Sequence, residues 1–433
     1  MSRSGDGALA PDGRRVRIEP AAVSGRFDRA RRAVFVVLIA VYLALPFLTI
    51  AGRPALRLEI GARRFFILGG LFDSTDAWRM LFVLLVAAVG LLLATAVLGR
   101  AWCGWACPQT VFLDALIRPI ERRFPRKGKG LPRALRAIAR HSLFFLVAAV
   151  CAHAFIAYFV SPAALWRMIQ GGPSHEPGVF AFAAITTGVL AFDFAVFREQ
   201  MCLIICPYGR LQSLLVDKDS LVVGYDERRG EPRGKVRLPM VGDCVDCRRC
   251  IAVCPTGIDI RRGQQLDCVA CTACIDACDD IMGRLGRAPG LIRYDSENGL
   301  AGQPRRLLRP RVLVYGALVV AASVGLALST LGRAGVDVQL LRPVGAPYRL
   351  DGGEVENLLS LIVVNKGAEP LAAPIAVSVP PGARASVEPA SVDLAPLARA
   401  RVSVTVRFPR GTHGARLTVA VAGEEVSAAL VSP

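Results

Sequence analysis

The sequence is poor in acidic residues and in histidine, and it contains no cysteine after about Val336. Its 35 Asp and Glu residues are outnumbered by 53 Lys and Arg residues, so the formal net charge is +18. The arginines bracket apolar runs without a nucleic-acid recognition motif, so we predict no nucleic-acid partner. Of the 4 histidines, His153 lies inside an apolar run, but it has no obvious second axial partner for haem. We expect it to be hydrogen-bonded to a neighbouring helix.

Apolar residues are abundant. They make up 53% of the chain, and the mean hydropathy of +0.44 is too high for a purely soluble protein. Runs of about 20 apolar residues are long enough to cross a bilayer as helices. Five such runs cover residues 33–51, 80–99, 142–161, 178–197 and 311–331. Residues 1–30 are polar and lack an apolar period, which predicts a largely disordered tail.

The basic residues predict an orientation. Residues 100–141 carry ten Lys and Arg residues, whereas the loop 162–177 carries only Arg167. The positive-inside rule therefore places residues 100–141 in the cytoplasm. With five spans, the amino terminus is then cytoplasmic and the carboxyl terminus periplasmic, in a bacterial inner membrane. The loop 52–79, with five arginines, is a weak exception.

Eight cysteines form two runs of the pattern C-x-x-C-x-x-C-x-x-x-C between spans four and five. Bacterial two-cluster ferredoxins have this spacing, in which the fourth Cys of each run binds the other cluster. We predict one 4Fe-4S cluster on Cys244, Cys247, Cys250 and Cys278, and a second on Cys268, Cys271, Cys274 and Cys254. Zinc knuckles and disulfides are the alternatives, but zinc sites favour two Cys pairs separated by a longer spacer.

The pattern C-x-x-x-C-P occurs twice, at the predicted ends of spans two and four. It contains Cys103 and Cys107 in the first case, and Cys202 and Cys206 in the second. Side chains at i and i+4 share one helix face, and the proline ends or bends the helix. Four thiols at one depth suit copper(I) or act as redox thiols, and Arg210 is placed to lower a thiol pKa. The alternative is that these are small buried residues at span ends.

Two further side chains lie within predicted spans. Ionisable groups at membrane depth mark functional sites by default. Asp193 is expected to pair with Arg198 or to lie on a proton or metal path, whereas Cys151 is expected to be a packing residue.

The last part of the chain has the pattern of an antiparallel sandwich. Its alternating runs are Leu359 to Val364, Ile375 to Val379, Val402 to Val406 and Leu417 to Val421. Breaks rich in Gly, Pro and Asn separate these runs. The lack of cysteine excludes a disulfide in this domain. It contains no catalytic constellation, so a scaffold or a partner contact is the expected role.

These patterns predict a polytopic α-helical membrane protein with an inserted bacterial-type two-cluster ferredoxin domain and a C-terminal all-β immunoglobulin-like sandwich. The predicted parts are a disordered cytoplasmic tail (1–30), four transmembrane helices with the Cys-Pro motifs (31–210), a cytoplasmic ferredoxin-like domain (211–310), a fifth transmembrane helix (311–331) and a periplasmic immunoglobulin-like domain (336–433).

Several segments together resemble one family. Arg100 to Val111, Phe197 to Gln212, the paired ferredoxin motifs and Gly290 to Tyr294 are similar to the cytochrome c oxidase accessory proteins CcoG, also called FixG or RdxA. The resemblance implies two 4Fe-4S clusters on the eight cysteines and a role in biogenesis of a cbb-type oxidase. It also implies reduction of copper(II) to copper(I) before delivery to the oxidase, with oxidase subunits or copper chaperones as partners and an unknown cytoplasmic electron donor.

Three functions remain open on the sequence. The first is a cupric reductase that relays electrons to copper held by Cys103, Cys107, Cys202 and Cys206. The second is a membrane ferredoxin relay that oxidises quinol or feeds a partner reductase. The third is a non-catalytic assembly scaffold with structural clusters. The outer sandwich favours the first or the third, because a plain relay has no evident need of it.

Overall fold

The structure is a computed structural model. It describes residues 18–73, 76–126, 132–235, 241–331, 335–367, 369–412 and 414–433. The chain forms two compact units, residues 1–326 and residues 327–433. The first 17 residues of the predicted tail and the side chain of Arg210 lie outside the described part.

The first unit is mainly helical. Its α-helices, with the last one running into the second unit, are α1 Arg26–Ala44, α2 Ala77–Leu98, α3 Ala101–Trp105, α4 Pro108–Phe112, α5 Arg118–Arg123, α6 Arg133–Ile156, α7 Pro162–Gly171, α8 Pro177–Phe192, α9 Pro207–Leu215, α10 Glu227–Gly230, α11 Arg249–Ala252, α12 Ala273–Arg284, α13 Glu297–Leu300 and α14 Pro310–Leu331. Shorter 3-10 turns are Leu45–Phe47 and Ile260–Arg262, and π-helical turns are Leu113–Ile117, Asp193–Phe197 and Met201–Ile205.

Among the residues that the structure describes, five helices are long and apolar enough to cross a membrane, as predicted. They are Arg26–Phe47, Ala77–Leu98, Arg133–Ile156, Pro177–Phe197 and Pro310–Leu331. The first ends earlier than expected because Pro46 has no amide hydrogen to continue the helix. The third is shifted toward the amino terminus, because the chain turns after Ile156 and Ser161 caps α7 by accepting from the Ala164 amide at 3.0 Å.

The prediction of a disordered segment is wrong for residues 18–30. The amide of Ala21 donates to the carbonyl of Ala252 at 2.9 Å. At the start of α1, the amides of Phe27 and Asp28 donate to the Asp276 carboxylate, at 3.2 and 2.7 Å. Free amides at a helix start need such acceptors. The acceptor comes from a distant part of the chain, which explains why the local pattern did not predict order here.

Two small sheets follow the first span, in a region that we predicted only as a loop. The first pairs β1 Thr49–Ile50 with β2 Arg53–Pro54. The second has the order β3 Leu56–Glu59, β4 Arg64–Ile67 and β5 Gly70–Phe72. The amide of Leu58 donates to the carbonyl of Tyr158 at 2.7 Å, which attaches this region to the end of the third span.

The ferredoxin-like domain lies between α9 and α14. Strands β6 Val222–Tyr225 and β7 Ile292–Asp295 form an antiparallel pair that brings together the two ends of the cysteine-containing segment. Its core contains Val223, Ile275 and Leu291, which are at most 3% exposed. The cysteines therefore lie on loops and short helices against a closed apolar core.

The second unit is a two-sheet antiparallel sandwich, as predicted. One sheet has β12 Arg384–Glu388, β14 Arg399–Pro409, β10 Glu354–Asn365 and β8 Val336–Leu341 in that order, with β9 Arg349–Asp351 also paired to β10. The other has β13 Ser391–Leu394, β11 Leu371–Ser378, β15 Arg416–Val421 and β16 Glu424–Ala429. Burial alternates along β10 and β14, so each presents one face to the core.

The sandwich should fold alone, and its core should respond to truncation. In the fragment 336–433, Leu361→Ala is expected to lower the free energy of unfolding by about 2–5 kcal/mol, because Leu361 is 0% exposed in the core. Leu358→Ala on the same strand is the matched control, since Leu358 is 46% exposed. Urea unfolding followed by circular dichroism measures both. Equal effects of the two substitutions would contradict this core, as would an unstructured wild-type fragment.

Candidate cluster sites and membrane-edge thiols

The two cysteine runs adopt the same backbone arrangement. In the first, Asp246 and Arg248 have positive φ values of 50° and 54°. In the second, Ala270 and Thr272 have φ values of 52° and 62°. These residues alternate with the first three cysteines of each run. Left-handed residues at alternate positions curl the loop, so that its cysteines can face a common cavity.

Each predicted ligand set lines one cavity. The cavity beside α12 and β7 is lined by Cys244, Cys247, Cys250 and Cys278. A neighbouring cavity is lined by Cys254, Cys268, Cys271 and Cys274, with Cys250 also at its wall. The fourth cysteine of each run thus faces the cavity of the other run, in agreement with the interleaved sets.

The cysteine geometry also bears on the two alternatives to iron–sulfur clusters, disulfides and zinc sites. All 13 cysteines of the chain fall in its described part, and all are free thiols, which disfavours disulfides. Within the described residues, no three His, Cys, Asp or Glu side chains converge closely enough to hold a single metal ion. Four thiols around a cavity, without convergence on one point, fit a cubane better than a zinc ion.

Burial raises the pKa of several thiols that line the two cavities. It raises the pKa of Cys250, Cys268 and Cys278 to about 12, and neighbouring thiols add to the effect at Cys268 and Cys278. It also raises the pKa of Cys274 well above its usual value. A buried thiolate therefore needs a nearby cation, and the residues fit a bound iron–sulfur cluster, which supplies positive iron to each sulfur.

The Cys-Pro motifs do not lie on continuous helices, which corrects our expectation. Span two ends at Leu98, and α3 ends at Trp105, so Cys103 lies on α3 while Cys107 precedes α4 in an extended conformation. Cys202 likewise lies in a π-helical turn, and Cys206 precedes α9. The proline after each pair forces the preceding residue out of the helical region, and this outweighs the i, i+4 pattern.

The four motif thiols, all within the described residues, are nevertheless grouped, although no three of them converge on one point in this arrangement. Burial raises the pKa of Cys103 to about 11, and its thiol donates a hydrogen bond to Oε1 of Gln212 at 3.4 Å. Burial likewise raises the pKa of Cys202, and the thiols of Cys107, Cys103 and Cys206 add to the increase. Cys103 and Cys202 are therefore neutral thiols at neutral pH, and a bound soft metal ion would displace their protons.

Both motifs approach the second cluster cavity. Cys103 packs against the apolar cluster that contains Val269 and Cys271. Cys202 and Cys271 line another cavity, whose wall also includes the ion-paired Arg118 and Glu199, 2.7 Å apart. The membrane-edge thiols are thus beside the predicted ligand set of Cys254, Cys268, Cys271 and Cys274.

Several contacts that the sequence did not predict hold this arrangement. Nη1 of Arg100 donates to the carbonyl oxygens of Leu266 and Cys268, the latter at 3.1 Å, while Nη2 donates to that of Gly209 at 2.8 Å. Arg100 thereby connects the first motif to the second motif and to a cluster loop. No local pattern could have identified these partners, since they are more than 100 residues away.

A contact between aromatic residues joins the first Cys-Pro motif to the cluster domain. Nε1 of Trp105 donates to the hydroxyl of Tyr294 at 2.9 Å, and that hydroxyl donates to the carbonyl of Ala270 at 3.0 Å. Phe27 packs edge-on against both rings. The start of α1, the first Cys-Pro motif and the cluster domain therefore share one packed junction.

The structure shows the surroundings of the three side chains that the sequence analysis placed within spans, Asp193, His153 and Cys151. Asp193 accepts a hydrogen bond from Nε2 of Gln109 at 2.8 Å rather than pairing with the guanidinium of Arg198. Nδ1 of His153 lies 2.8 Å from the carbonyl of Ala149 in its own helix, not in a neighbouring helix. Cys151 is buried, as expected for a packing residue.

Comparison with known families covers most of the chain. Residues 197–297 match a 4Fe-4S dicluster domain, residues 80–127 a 4Fe-4S binding domain, and residues 326–429 the immunoglobulin-like fold at the C terminus of FixG. The match over 80–127 contains only Cys103 and Cys107, half the thiolates of a cubane. The apolar helices, the dicluster domain and the sandwich define a membrane iron–sulfur electron-transfer protein.

Known proteins are similar in sequence to this chain. Protein RdxA of Cereibacter sphaeroides is 33% identical over 86% of this chain and 85% of its own length. Nitrogen fixation protein FixG of Rhizobium meliloti is 30% identical over 79% of this chain and 76% of its own. The chain belongs to the FixG/RdxA family. The ferredoxin-type protein NapH of Escherichia coli is 26% identical over 40% of this chain and 65% of its own.

Proposed function

We propose that this protein is a cupric reductase for assembly of a cbb-type cytochrome c oxidase, with Cys103, Cys107, Cys202 and Cys206 as the copper-handling thiols. The observation that carries the proposal is their position: Cys103 packs against the apolar cluster that contains Cys271, and Cys202 lines a cavity together with Cys271. Soft thiol ligands thus lie next to a predicted electron carrier.

The chemistry is a single-electron transfer. Copper(II) is the substrate, and each ion gains one electron to become copper(I), while a low-potential cytoplasmic donor loses one. When bound, 4Fe-4S clusters exchange single electrons at low potential. Thiolate ligands stabilise copper(I) over copper(II), so the motif thiols favour the reduced product and release protons as they bind it.

The proposed orientation follows the distribution of charge. The basic segment 100–141 and the ferredoxin-like domain would face the cytoplasm of a bacterial cell, with the amino terminus on that side and the sandwich in the periplasm. Oxidase subunits or copper chaperones are the expected partners of the sandwich.

The wild-type protein tests the proposal directly. Anaerobic protein, reduced with dithionite and then freed of it, should convert copper(II) to about two copper(I) ions per chain, one for each stored electron. A copper(I) chelator and the visible absorption of the clusters measure product and donor together. Reduced protein that leaves copper(II) unchanged would rule out this function.

The ligand sets predict the iron content of variants. Cys247→Ala and Cys271→Ala each remove a ligand from a different set, so each should lower iron and acid-labile sulfide by about half. Cys151→Ala is the control, because Cys151 is buried in the third span and lines neither cluster cavity. Unchanged iron content in both ligand variants would contradict the assignment of the clusters.

A membrane relay is the second candidate function. A cavity of about 420 Å³ lies beside the start of α1, between Phe35 on α1 and Pro119 on α5, and Val253 and Ala273 of the cluster domain reach its wall. Six of its 14 lining residues are charged, so the cavity would offer a quinol head group polar partners beside an apolar wall. Oxidation of added quinol by the oxidised protein, together with failure to reduce copper(II), would favour this function.

A further inference from the structure

The two Cys-Pro motifs begin with the same unusual backbone conformation. Gly99, at the end of span two, has φ 58° and ψ −124°. Arg198, at the end of span four, has φ 56° and ψ −126°. Each residue stands four positions before the first cysteine of its motif, Cys103 or Cys202. These angles are those of the first central position of a type II′ turn, which glycine dominates.

The second halves of the motifs also correspond. The amide of Cys107 donates to the carbonyl of Trp102 at 2.9 Å, and the amide of Cys206 donates to that of Met201 at 2.8 Å. Both cysteines are extended, with φ and ψ of −62° and 126° at Cys107 and −65° and 112° at Cys206. The motifs are therefore two copies of one structural unit, although only the cysteines and proline recur in sequence.

Each copy is attached to the span of the other. Two residues after Cys107, Gln109 donates through Nε2 to the carbonyl of Arg198 at 3.0 Å. Two residues after Cys206, the hydroxyl of Tyr208 is 2.6 Å from that of Thr95 on span two. This reciprocal attachment explains why the two thiol pairs become neighbours.

The copies differ at their first residue. Glycine adopts the observed angles freely, but an arginine has a Cβ that disfavours them. The Arg198 side chain is 2% exposed, and its guanidinium donates to both carboxylate oxygens of Glu121 at 2.8 and 2.7 Å. Such buried two-point ion pairs fix an arginine in one geometry. Strained non-glycine residues of this kind concentrate at functional sites.

We infer that Arg198 is a positioning residue of the four-thiol site: its backbone directs Cys202 and Cys206 toward the first motif, and its ion pair with Glu121 holds that backbone in place. The inference deepens the proposed function by naming what sets the geometry of the copper-handling thiols. It rests on that function only for the chemical role of the thiols, not for their placement.

Anaerobic alkylation with iodoacetamide, followed by peptide mass spectrometry, tests the placement without copper. Arg198→Ala should raise the alkylation rate of Cys202 by about 5-fold or more, because alanine has a Cβ but no ion pair. Arg198→Gly should keep the rate within about 2-fold of wild type, because glycine takes the same angles at position 99. Iron content and the rate at Cys103 in each sample report whether the rest of the protein is intact.

A second comparison isolates the ion pair. Glu121→Gln should raise the alkylation rate of Cys202 in the Arg198 protein but not in the Arg198→Gly background, where no arginine has to be held. If Arg198 contributed only its charge, glycine at this position would not restore the wild-type alkylation rate of Cys202. Wild-type alkylation in Arg198→Ala would overturn the inference, as would equal damage by alanine and glycine. If the wild-type protein does not reduce copper(II), the proposed function is refuted, but the alkylation result on the placement of Cys202 still holds.

Discussion

Alanine at both Cys103 and Cys202 should abolish copper(I) formation by the reduced protein while its iron content stays at the wild-type value. The double substitution removes one thiol from each motif and touches neither predicted ligand set. Cys103 also packs against the apolar cluster that contains Cys271, and Cys202 lines a cavity together with Cys271. Since changes around metal ligands alone cost 10- to 100-fold in affinity, the loss of two ligands should lower copper turnover by at least about 100-fold.

Rapid mixing of reduced protein with copper(II) and a copper(I) chelator measures this loss. Cys151→Ala provides a matched cysteine control within the membrane, and it should turn over copper at the wild-type rate. A double variant that reduces copper normally would place the copper site elsewhere and favour the relay function. An iron content of about 12 rather than about 8 atoms per wild-type chain would indicate a third cluster at the motif thiols.

Gly104→Ala should move the first Cys-Pro motif away from the cluster domain and thereby slow copper reduction. A Cβ on Gly104 would overlap the backbone carbonyl of Ala270 and lie 2.7 Å from the carbonyl oxygen of Val269. Backbone atoms cannot rotate away as a side chain can, so α3 and the cluster loop must separate. Because misplacement by about 1 Å can cost 100-fold in rate, copper reduction should fall by roughly 10- to 100-fold.

The iron content of this variant should remain near the wild-type value, because no cluster ligand is changed. Gly90→Ala in span two is the control, since a Cβ there meets no atom within 4 Å. The ratio of the two copper reduction rates is the measurement. Equal rates would show that close contact between α3 and the cluster loop is not required for electron transfer.

The sequence predicted those features that depend on residues close together in the chain. The five spans follow from continuous apolar runs. The interleaved cluster sets rest on cysteine spacing and stay a prediction, although each predicted set lines one cavity. The alternating strands of the sandwich follow from a period of two. In each case the physical cause acts within about 35 residues.

Features that depend on distant partners were missed. The hydrogen bond from Cys103 to Gln212 and those from Arg100 to Leu266 and Gly209 join elements that only tertiary packing brings together. The placement of each cysteine pair on one helix was wrong for a local reason, because the restriction that proline imposes on its preceding residue was underestimated.

The Asp276 carboxylate has a consequence for the order of biosynthesis. It accepts from the amides of Phe27 and Asp28, residues made 249 and 248 positions earlier. At a translation rate of about 5–20 residues per second, that acceptor follows the first span by roughly 10–50 s. The first span therefore leaves the ribosome before its cap exists. Its amino-terminal end is completed only when the helix that carries Cys274 and Cys278 folds, so the first span matures together with the predicted cluster domain.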